Sequence, residues 1–214
     1  MRTTIKIGVA LAAVAALAGC GASDGGSEKP LAVVSGAASK PGTLLDAPFA
    51  KPELTLTDTH GKPYNLVKET AGRPVLLFFG YTHCPDVCPT TMSDIAIAKS
   101  RLPKPDQQKL RVVFVSTDPA RDTPQHLGEW LSAQDKDFVG LTGDFGTIQK
   151  AARSVGVGID KPVTEKDGSV TVTHGAEVLA FWPKDDKGHV LYMSGTTADE
   201  FTAYLPKLLR SEAP

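Results

Sequence analysis

The sequence lacks a basic stretch and a long apolar run, and it has little cysteine; each shortage excludes a class of protein. Its 23 Lys and Arg residues are balanced by 24 Asp and Glu residues, for a net charge of −1, and no polybasic segment occurs. We therefore expect no nucleic-acid partner and no purely electrostatic membrane attachment. The apolar run from Ile7 to Ala18 is shorter than the roughly 20 residues that a membrane-spanning helix requires.

That run instead has the features of a secretory signal. Arg2 and Lys6 flank its start, and Leu17-Ala-Gly-Cys20 closes it. A basic start, a short apolar segment and a small-residue cleavage site are typical of such signals. Because a cysteine follows Leu-Ala-Gly directly, the segment resembles a bacterial lipoprotein signal. We expect residues 1–19 to be removed and Cys20 to carry the lipid, which places the protein on the extracytoplasmic face of the cell membrane.

Composition divides the remaining chain into two parts. Residues 20–47 are rich in Gly, Ala, Ser and Pro and contain few aromatic residues, which is typical of a flexible linker. Residues 48–214 contain the aromatic and β-branched residues that a core requires, and their number suits one domain. We therefore expect a lipidated cysteine, a linker and one folded domain.

The hydrophobic pattern of the domain alternates between strands and helices. Strands are predicted at Leu54–Thr57, Tyr64–Leu66, Val75–Phe79, Arg111–Val115, Phe138–Leu141, Glu177–Trp182 and His189–Met193. Helices are predicted at Thr90–Leu102, from Pro124 through Leu131, at Phe145–Val155, and after Thr197 through Leu208. This order predicts an α/β fold with a central mixed β-sheet flanked by helices, plus an N-terminal β-hairpin.

Cys84 and Cys88 directly follow the most apolar predicted strand, Val75–Phe79. Three residues separate them, where a dithiol oxidoreductase would have two. A helix that starts near Cys84 would place both thiols on one face, and its N-terminus would lower their pKa. Such a pair can hold one soft metal ion or close a disulfide. A structural zinc site normally needs four protein ligands, and the chain has no third cysteine besides the lipidated Cys20.

The order of elements resembles the thioredoxin-like fold. In that fold, a loop that usually carries a cis-proline leads into the penultimate strand and faces the cysteine pair. The corresponding segment here, Thr171–Glu177, has no proline and contains His174. The resemblance therefore implies that His174 lies opposite the two thiols, 86 residues beyond Cys88.

Three segments make the chain resemble the Sco/SenC family, which is named for the synthesis of cytochrome c oxidase. They are Gly80–Thr90, Val115–Pro124 and the His174 loop. The resemblance implies one copper ion, Cu(I) or Cu(II), bound by Cys84, Cys88 and His174. It implies the copper-site subunit of the oxidase as a partner, and it is compatible with another extracytoplasmic copper chaperone as a second partner. The family usually reads Asp-His-Ser at the histidine, where this chain reads Thr173-His-Gly175, so the support of the ligand is expected to differ.

Two function classes stay open: a copper carrier, and a thiol-disulfide reductase that keeps the cysteines of the oxidase copper site reduced. Copper binding needs His174, whereas dithiol exchange does not. Asp118 is either a weak oxygen ligand to Cu(II), a partner of a ligand, or a turn residue. Asp86 is a candidate helix cap or a residue that a partner protein recognises. His83 is a weak candidate for completing a zinc site, because a residue next to Cys84 would point away from the pair. Arg121 and Asp122 are expected to pair with each other.

Overall fold

A computed structural model of the protein describes residues 42–214. Its strands are β1 (Thr43–Ala50), β2 (Thr55–Asp58), β3 (Pro63–Asn65), β4 (Val75–Gly80), β5 (Arg111–Ser116), β6 (Val139–Thr142), β7 (Val163–Thr164), β8 (Val170–Thr171), β9 (Val178–Phe181) and β10 (Lys187–Tyr192). Its helices are α1 (Leu66–Glu69), α2 (Val87–Ser100), α3 (Lys104–Lys109), α4 (Pro124–Ser132), α5 (Phe145–Ser154) and α6 (Ala198–Leu209).

Eight of these strands form one mixed sheet, in the order β1-β10-β9-β4-β5-β6-β2-β3. Strands β4, β5 and β6 run parallel, and β9 pairs with β4 in the antiparallel sense. The predicted hairpin of β2 and β3 lies at one edge, where β2 pairs with β6. The predicted α/β fold with a mixed central sheet is therefore confirmed.

Strand β4 is buried along its whole length because both faces of the sheet are covered. Leu76 and Phe78 point to the face that packs against α2 and α6. There they belong to the same core cluster as Met92 of α2 and Tyr204 of α6. The alternate residues Val75, Leu77 and Phe79 point to the other face, which packs against α5. This accounts for a continuous apolar run where a one-sided strand would alternate. The carboxyl end of β4 therefore lies between the two halves of the core.

Helix caps explain why several helices begin where the sequence predicts. The Thr123 side chain accepts a hydrogen bond from the His126 amide, and Pro124 occupies the first position of α4. Helix α6 begins with a full capping box between Thr197 and Glu200. A capping side chain satisfies an amide that would otherwise lack a partner in the first turn. These starts are therefore encoded locally.

The structure differs from the predictions in three places. Residues 43–47, predicted as linker, belong to strand β1, which pairs with β10 at the second edge of the sheet. Helix α2 begins at Val87, so Cys84 lies in the preceding loop. The short elements α1, α3, β7 and β8 were not predicted. The signal segment 1–19, Cys20 and linker residues 20–41 lie outside the described residues. Within residues 42–214, no helix combines the length and apolarity needed to cross a bilayer.

Candidate metal centre

The two cysteines lie at the carboxyl end of β4, on either side of the start of α2. Cys84 is half-buried in the loop, and its amide donates to the Tyr81 carbonyl at 3.3 Å. Cys88 is in the first turn of α2 and is fully buried. Its amide donates to the Cys84 Sγ at 3.4 Å. The Cys84 sulfur thus fixes the two thiols side by side although only one of them is helical.

The hydrogen bond from the Cys88 amide to Cys84 Sγ takes the place of a side-chain cap by Asp86 at the start of α2. Asp86 occupies the N-cap position of α2, but its side chain makes no capping hydrogen bond. Asp86 therefore occupies the predicted cap position but does not cap the helix through a side-chain hydrogen bond. The residue before a proline is disfavoured in the helical conformation, and Cys84 precedes Pro85. This restriction disfavours a helix that includes Cys84, although Cys88, which precedes Pro89, is helical.

His174 reaches the cysteines from the loop between β8 and β9. The loop is held by backbone pairing, since His174 forms an antiparallel bridge with Ile159. The Gly175 amide donates to the Gly158 carbonyl at 2.7 Å, and the Asp160 amide donates to the Thr173 carbonyl at 2.9 Å. The imidazole packs edge-on against the Tyr81 ring, with centroids 5.5 Å apart. The backbone and an aromatic contact therefore position this ring.

One hydrogen bond defines which imidazole nitrogen faces the thiols. His174 Nδ1 lies 2.9 Å from the Gly175 carbonyl oxygen, so this nitrogen carries the proton and donates it. Nε2 is then left with a lone pair, and it lies 3.7 Å from Cys88 Sγ. A backbone carbonyl that holds one ring nitrogen and frees the other is the usual support of a histidine ligand. Thr173 and Gly175, where the sequence departs from the family pattern, support His174 through their backbone.

The three donor atoms converge as a metal site requires. One ligand atom each from Cys84, Cys88 and His174 lies within 4.8 Å of the others. A sulfur at about 2.3 Å and an imidazole nitrogen at about 2.05 Å from one ion, with an angle of about 120°, would be about 3.8 Å apart. The distance of 3.7 Å between Cys88 Sγ and His174 Nε2 fits that value. Two sulfurs and a nitrogen suit a soft ion such as Cu(I).

Burial changes the acidity expected of the pair. Desolvation raises the pKa of the Cys88 thiol well above its ordinary value. The prediction that the start of the helix lowers the pKa of both thiols is therefore wrong for Cys88, because the thiol is fully buried. The pKa of Tyr81 is also raised, first by burial and then by the neighbouring Cys84 and Cys88. In the metal-free protein Cys88 is a thiol that can donate to His174.

The acidic candidates have other partners. Asp118 is buried and forms an ion pair with Arg121, and its carbonyl accepts hydrogen bonds from the amides of Arg121 and Asp122. It therefore occupies a turn and is not one of the three converging residues. The expected pairing of Arg121 with Asp122 is wrong. Asp122 instead accepts hydrogen bonds from the hydroxyls of Thr82 and Ser116.

A second convergence was not predicted from the sequence. His83 is not part of the Cys84, Cys88 and His174 set, but its ring lies beside His126 and Asp122. His126 is exposed in the first turn of α4. Asp122 lies only four residues before His126, but His83 and Thr82 are distant in the chain, so no local spacing signals the whole cluster.

The fold and the three converging donors together define a class of protein, a thioredoxin-like domain that pairs two cysteines with a histidine. The family model for SCO1/SenC matches residues 43–210. The chain therefore belongs to the SCO1/SenC family.

Relatives with solved structures share most of this domain. The chain resembles ScoI of Bradyrhizobium japonicum, solved with copper bound, with 36% identity, a TM-score of 0.63 and coverage of 76% of this chain and 98% of that one. It also resembles apo Sco1 of Thermus thermophilus, with 32% identity, a TM-score of 0.69 and coverage of 79% and 96%. The fold assignment thus agrees with experimental structures of the family.

A sequence relative extends the comparison. A protein of Stutzerimonas stutzeri, provisionally named as copper-binding, is 36% identical over 138 residues, which cover 64% of this chain and 66% of that protein. The matches to the first curated relatives span 42–66% of the length of those proteins.

Proposed function

We propose that the protein is a copper carrier that binds one copper ion through Cys84, Cys88 and His174. The observation that carries the proposal is the direction of His174 Nε2, which faces Cys88 Sγ at 3.7 Å while Nδ1 is held by the Gly175 carbonyl. A dithiol reductase has no need of an imidazole fixed in this orientation. Copper-bound structures of relatives add support for the identity of the ion.

We propose that the cargo is delivered to the binuclear copper site of cytochrome c oxidase, for which the family is named. Three protein donors leave a coordination position for an incoming ligand of the acceptor. Cys84 is less deeply buried than Cys88, so an approaching ligand would reach the site from the side of Cys84. Binding displaces the proton of the buried Cys88 thiol, because the ligand is the thiolate. The copper ion then passes to the oxidase as ligands of the acceptor replace those of the carrier. Another extracytoplasmic copper chaperone is a candidate for loading the carrier with copper.

We further propose that Cys20 anchors the domain at the extracytoplasmic face of the cell membrane. The support is the Leu17-Ala-Gly-Cys20 sequence at the end of the apolar segment. An anchored carrier would meet a membrane-bound oxidase by lateral diffusion. Residues 20–41 would supply the tether between lipid and domain.

A thiol-disulfide reductase is the second candidate, and one observation favours it. Both Cys84 and Cys88 are free, and the Cys84 Sγ lies in contact with the Cys88 amide. In that role the pair would give two electrons and two protons to a target disulfide and become a disulfide itself. His174 would then be dispensable.

The two candidates separate in cells that carry His174→Ala. A carrier requires His174, so the variant should lose assembly of the oxidase copper site, with partial rescue by added copper. Cys84→Ser and Cys88→Ser should fail in the same assay, and His60→Ala, an exposed turn residue, should behave as wild type. Normal oxidase assembly with His174→Ala alongside failure of both serine variants would favour the reductase.

A further inference from the structure

His83, Asp122 and His126 form a cluster of potential metal ligands outside the cysteine centre. His83 lies in the loop before Cys84, Asp122 follows β5, and His126 is in the first turn of α4. One ligand atom of each lies within 4.8 Å of the other two. The imidazole rings lie 5.3 Å apart between centroids and are inclined by 36°. Three chain segments thus bring two imidazoles and a carboxylate to one place.

The carboxylate of this cluster is buried without a permanent cation. Asp122 is fully buried and accepts hydrogen bonds from the Thr82 amide, the Thr82 hydroxyl and the Ser116 hydroxyl, all of which are neutral. Within residues 42–214, its one ion-pair contact is with His83, whose Nδ1 lies 3.8 Å from Asp122 Oδ1. A buried charge is costly unless it is paired. A cation between Asp122 and the two rings would supply the missing charge.

The two imidazole rings already point to one atom beside Asp122, the hydroxyl oxygen of Thr82. The Thr82 hydroxyl donates its single proton to Asp122 Oδ1 at 2.6 Å. The ring nitrogens that face Thr82 Oγ1, at 3.1 Å for His83 Nδ1 and 2.9 Å for His126 Nε2, must therefore be donors. Each neutral ring becomes a ligand when its proton moves to the other nitrogen. Both side chains are exposed, so their rings can adjust to an ion.

We infer that His83, Asp122 and His126 bind a divalent first-row transition-metal ion, with Cu(II) held most tightly. Imidazole and carboxylate donors suit Cu(II) and Zn(II), and the affinity of such sites rises toward Cu(II). The set lacks a thiolate, so Cu(I) is not its preferred ion. The protein would then bind two metal ions, one at the cysteine centre and one at this cluster. Because His83 and Cys84 are consecutive, the two centres share one loop.

The test uses the full-length chain in detergent with Cys84→Ser and Cys88→Ser combined, so that the cysteine centre contributes no thiolate. Cu(II) is added, and its electron paramagnetic resonance spectrum reports the coordinated nitrogens. We expect one bound Cu(II) per chain with two imidazole nitrogens. Adding either His83→Gln or His126→Gln should raise the dissociation constant about tenfold or more, since loss even of an outer-shell partner has that effect. His60→Gln is the matched control and should change neither affinity nor spectrum.

Three results would overturn the inference: no Cu(II) binding in the double-serine protein, equal binding in the His83 and His126 variants and the control, or loss in only one of the two variants. The last two would assign the cluster to a structural hydrogen-bond network only. Near-ultraviolet circular dichroism checks that each variant is folded. Because the cysteine centre is disabled throughout, failure of the proposed copper carriage at Cys84, Cys88 and His174 would leave this result unaffected.

Discussion

Gly80 and Cys88 are packed so closely that a Cβ atom added to Gly80 would lie 2.9 Å from the Cys88 sulfur. The same atom would lie 2.6 Å from the Phe78 ring and 3.1 Å from the Phe114 ring. The last residue of β4 therefore has no side chain because the buried thiol occupies that space. The position of the Cys88 sulfur depends on this contact.

Gly80→Ala should therefore disturb both the core and the metal centre. Overpacking a core typically costs about 1–3 kcal/mol in the free energy of unfolding, and displacement of Cys88 Sγ should also weaken Cu(I) binding. Urea unfolding and competition with a Cu(I) chelator measure the two effects. Gly146→Ala, in α5, is the matched control, because the nearest atom to its added Cβ would be Asp144 Oδ1 at 3.4 Å. Equal stability and equal Cu(I) affinity in the two variants would contradict the prediction.

The buried thiol should also make stability depend on pH. Burial raises the pKa of Cys88 above that of an unfolded thiol, which is about 8.5. The stabilisation is then complete below about pH 8.5 and is lost as the pH rises, because only the unfolded chain releases this proton. The unfolding free energy of reduced, metal-free protein should fall between about pH 9 and 10, with a limiting slope near 1.4 kcal/mol per pH unit.

Serine variants show which cysteine causes the pH dependence of the unfolding free energy. Cys88→Ser should remove it, whereas Cys84→Ser should retain the contribution of Cys88. Burial also raises the pKa of Tyr192 and raises that of Tyr204 to about 12, so measurements stay below about pH 10, the ordinary tyrosine value. An unchanged slope in Cys88→Ser would show that another group titrates.

The lipid anchor gives a separate prediction. If the Leu17-Ala-Gly-Cys20 segment is a lipoprotein signal, wild-type protein should fractionate with membranes and enter the detergent phase. Cys20→Ala should block processing or anchoring, because the other two cysteines, Cys84 and Cys88, lie far from the cleavage site. Mass spectrometry of the mature N-terminus checks the modification. A freely secreted protein with an unmodified Cys20 would be the opposite result.

The sequence predicts the parts of the site that depend on local signals. A continuous apolar run identifies Val75–Phe79 as a central strand, and the cysteine pair follows it directly. The helix caps at Thr123 and Thr197 are equally local. His174 required the resemblance to a known fold, because nothing near it in the chain indicates the thiols 86 residues away.

Tertiary packing decides the remaining features. Strand β1 lies in a segment with linker-like composition and forms by pairing with β10, which no local pattern reveals. The raised pKa of Cys88 comes from burial of its thiol against the core, which outweighs the lowering effect of a hydrogen bond with the Tyr81 backbone. His126 reaches Thr82 across 44 residues of sequence, so its approach to His83 follows only from the fold, although Asp122 lies four residues before it.

The most direct test of the copper centre is X-ray absorption spectroscopy of the reduced protein loaded with one Cu(I). The wild-type spectrum should require two sulfur ligands at about 2.2–2.3 Å and one imidazole nitrogen at about 2.0 Å. His174→Ala should lose the nitrogen contribution and keep both sulfurs, while His60→Ala should match wild type. A wild-type spectrum without a nitrogen ligand, or one unchanged by His174→Ala, would contradict the assignment of Cys84, Cys88 and His174 as the copper site.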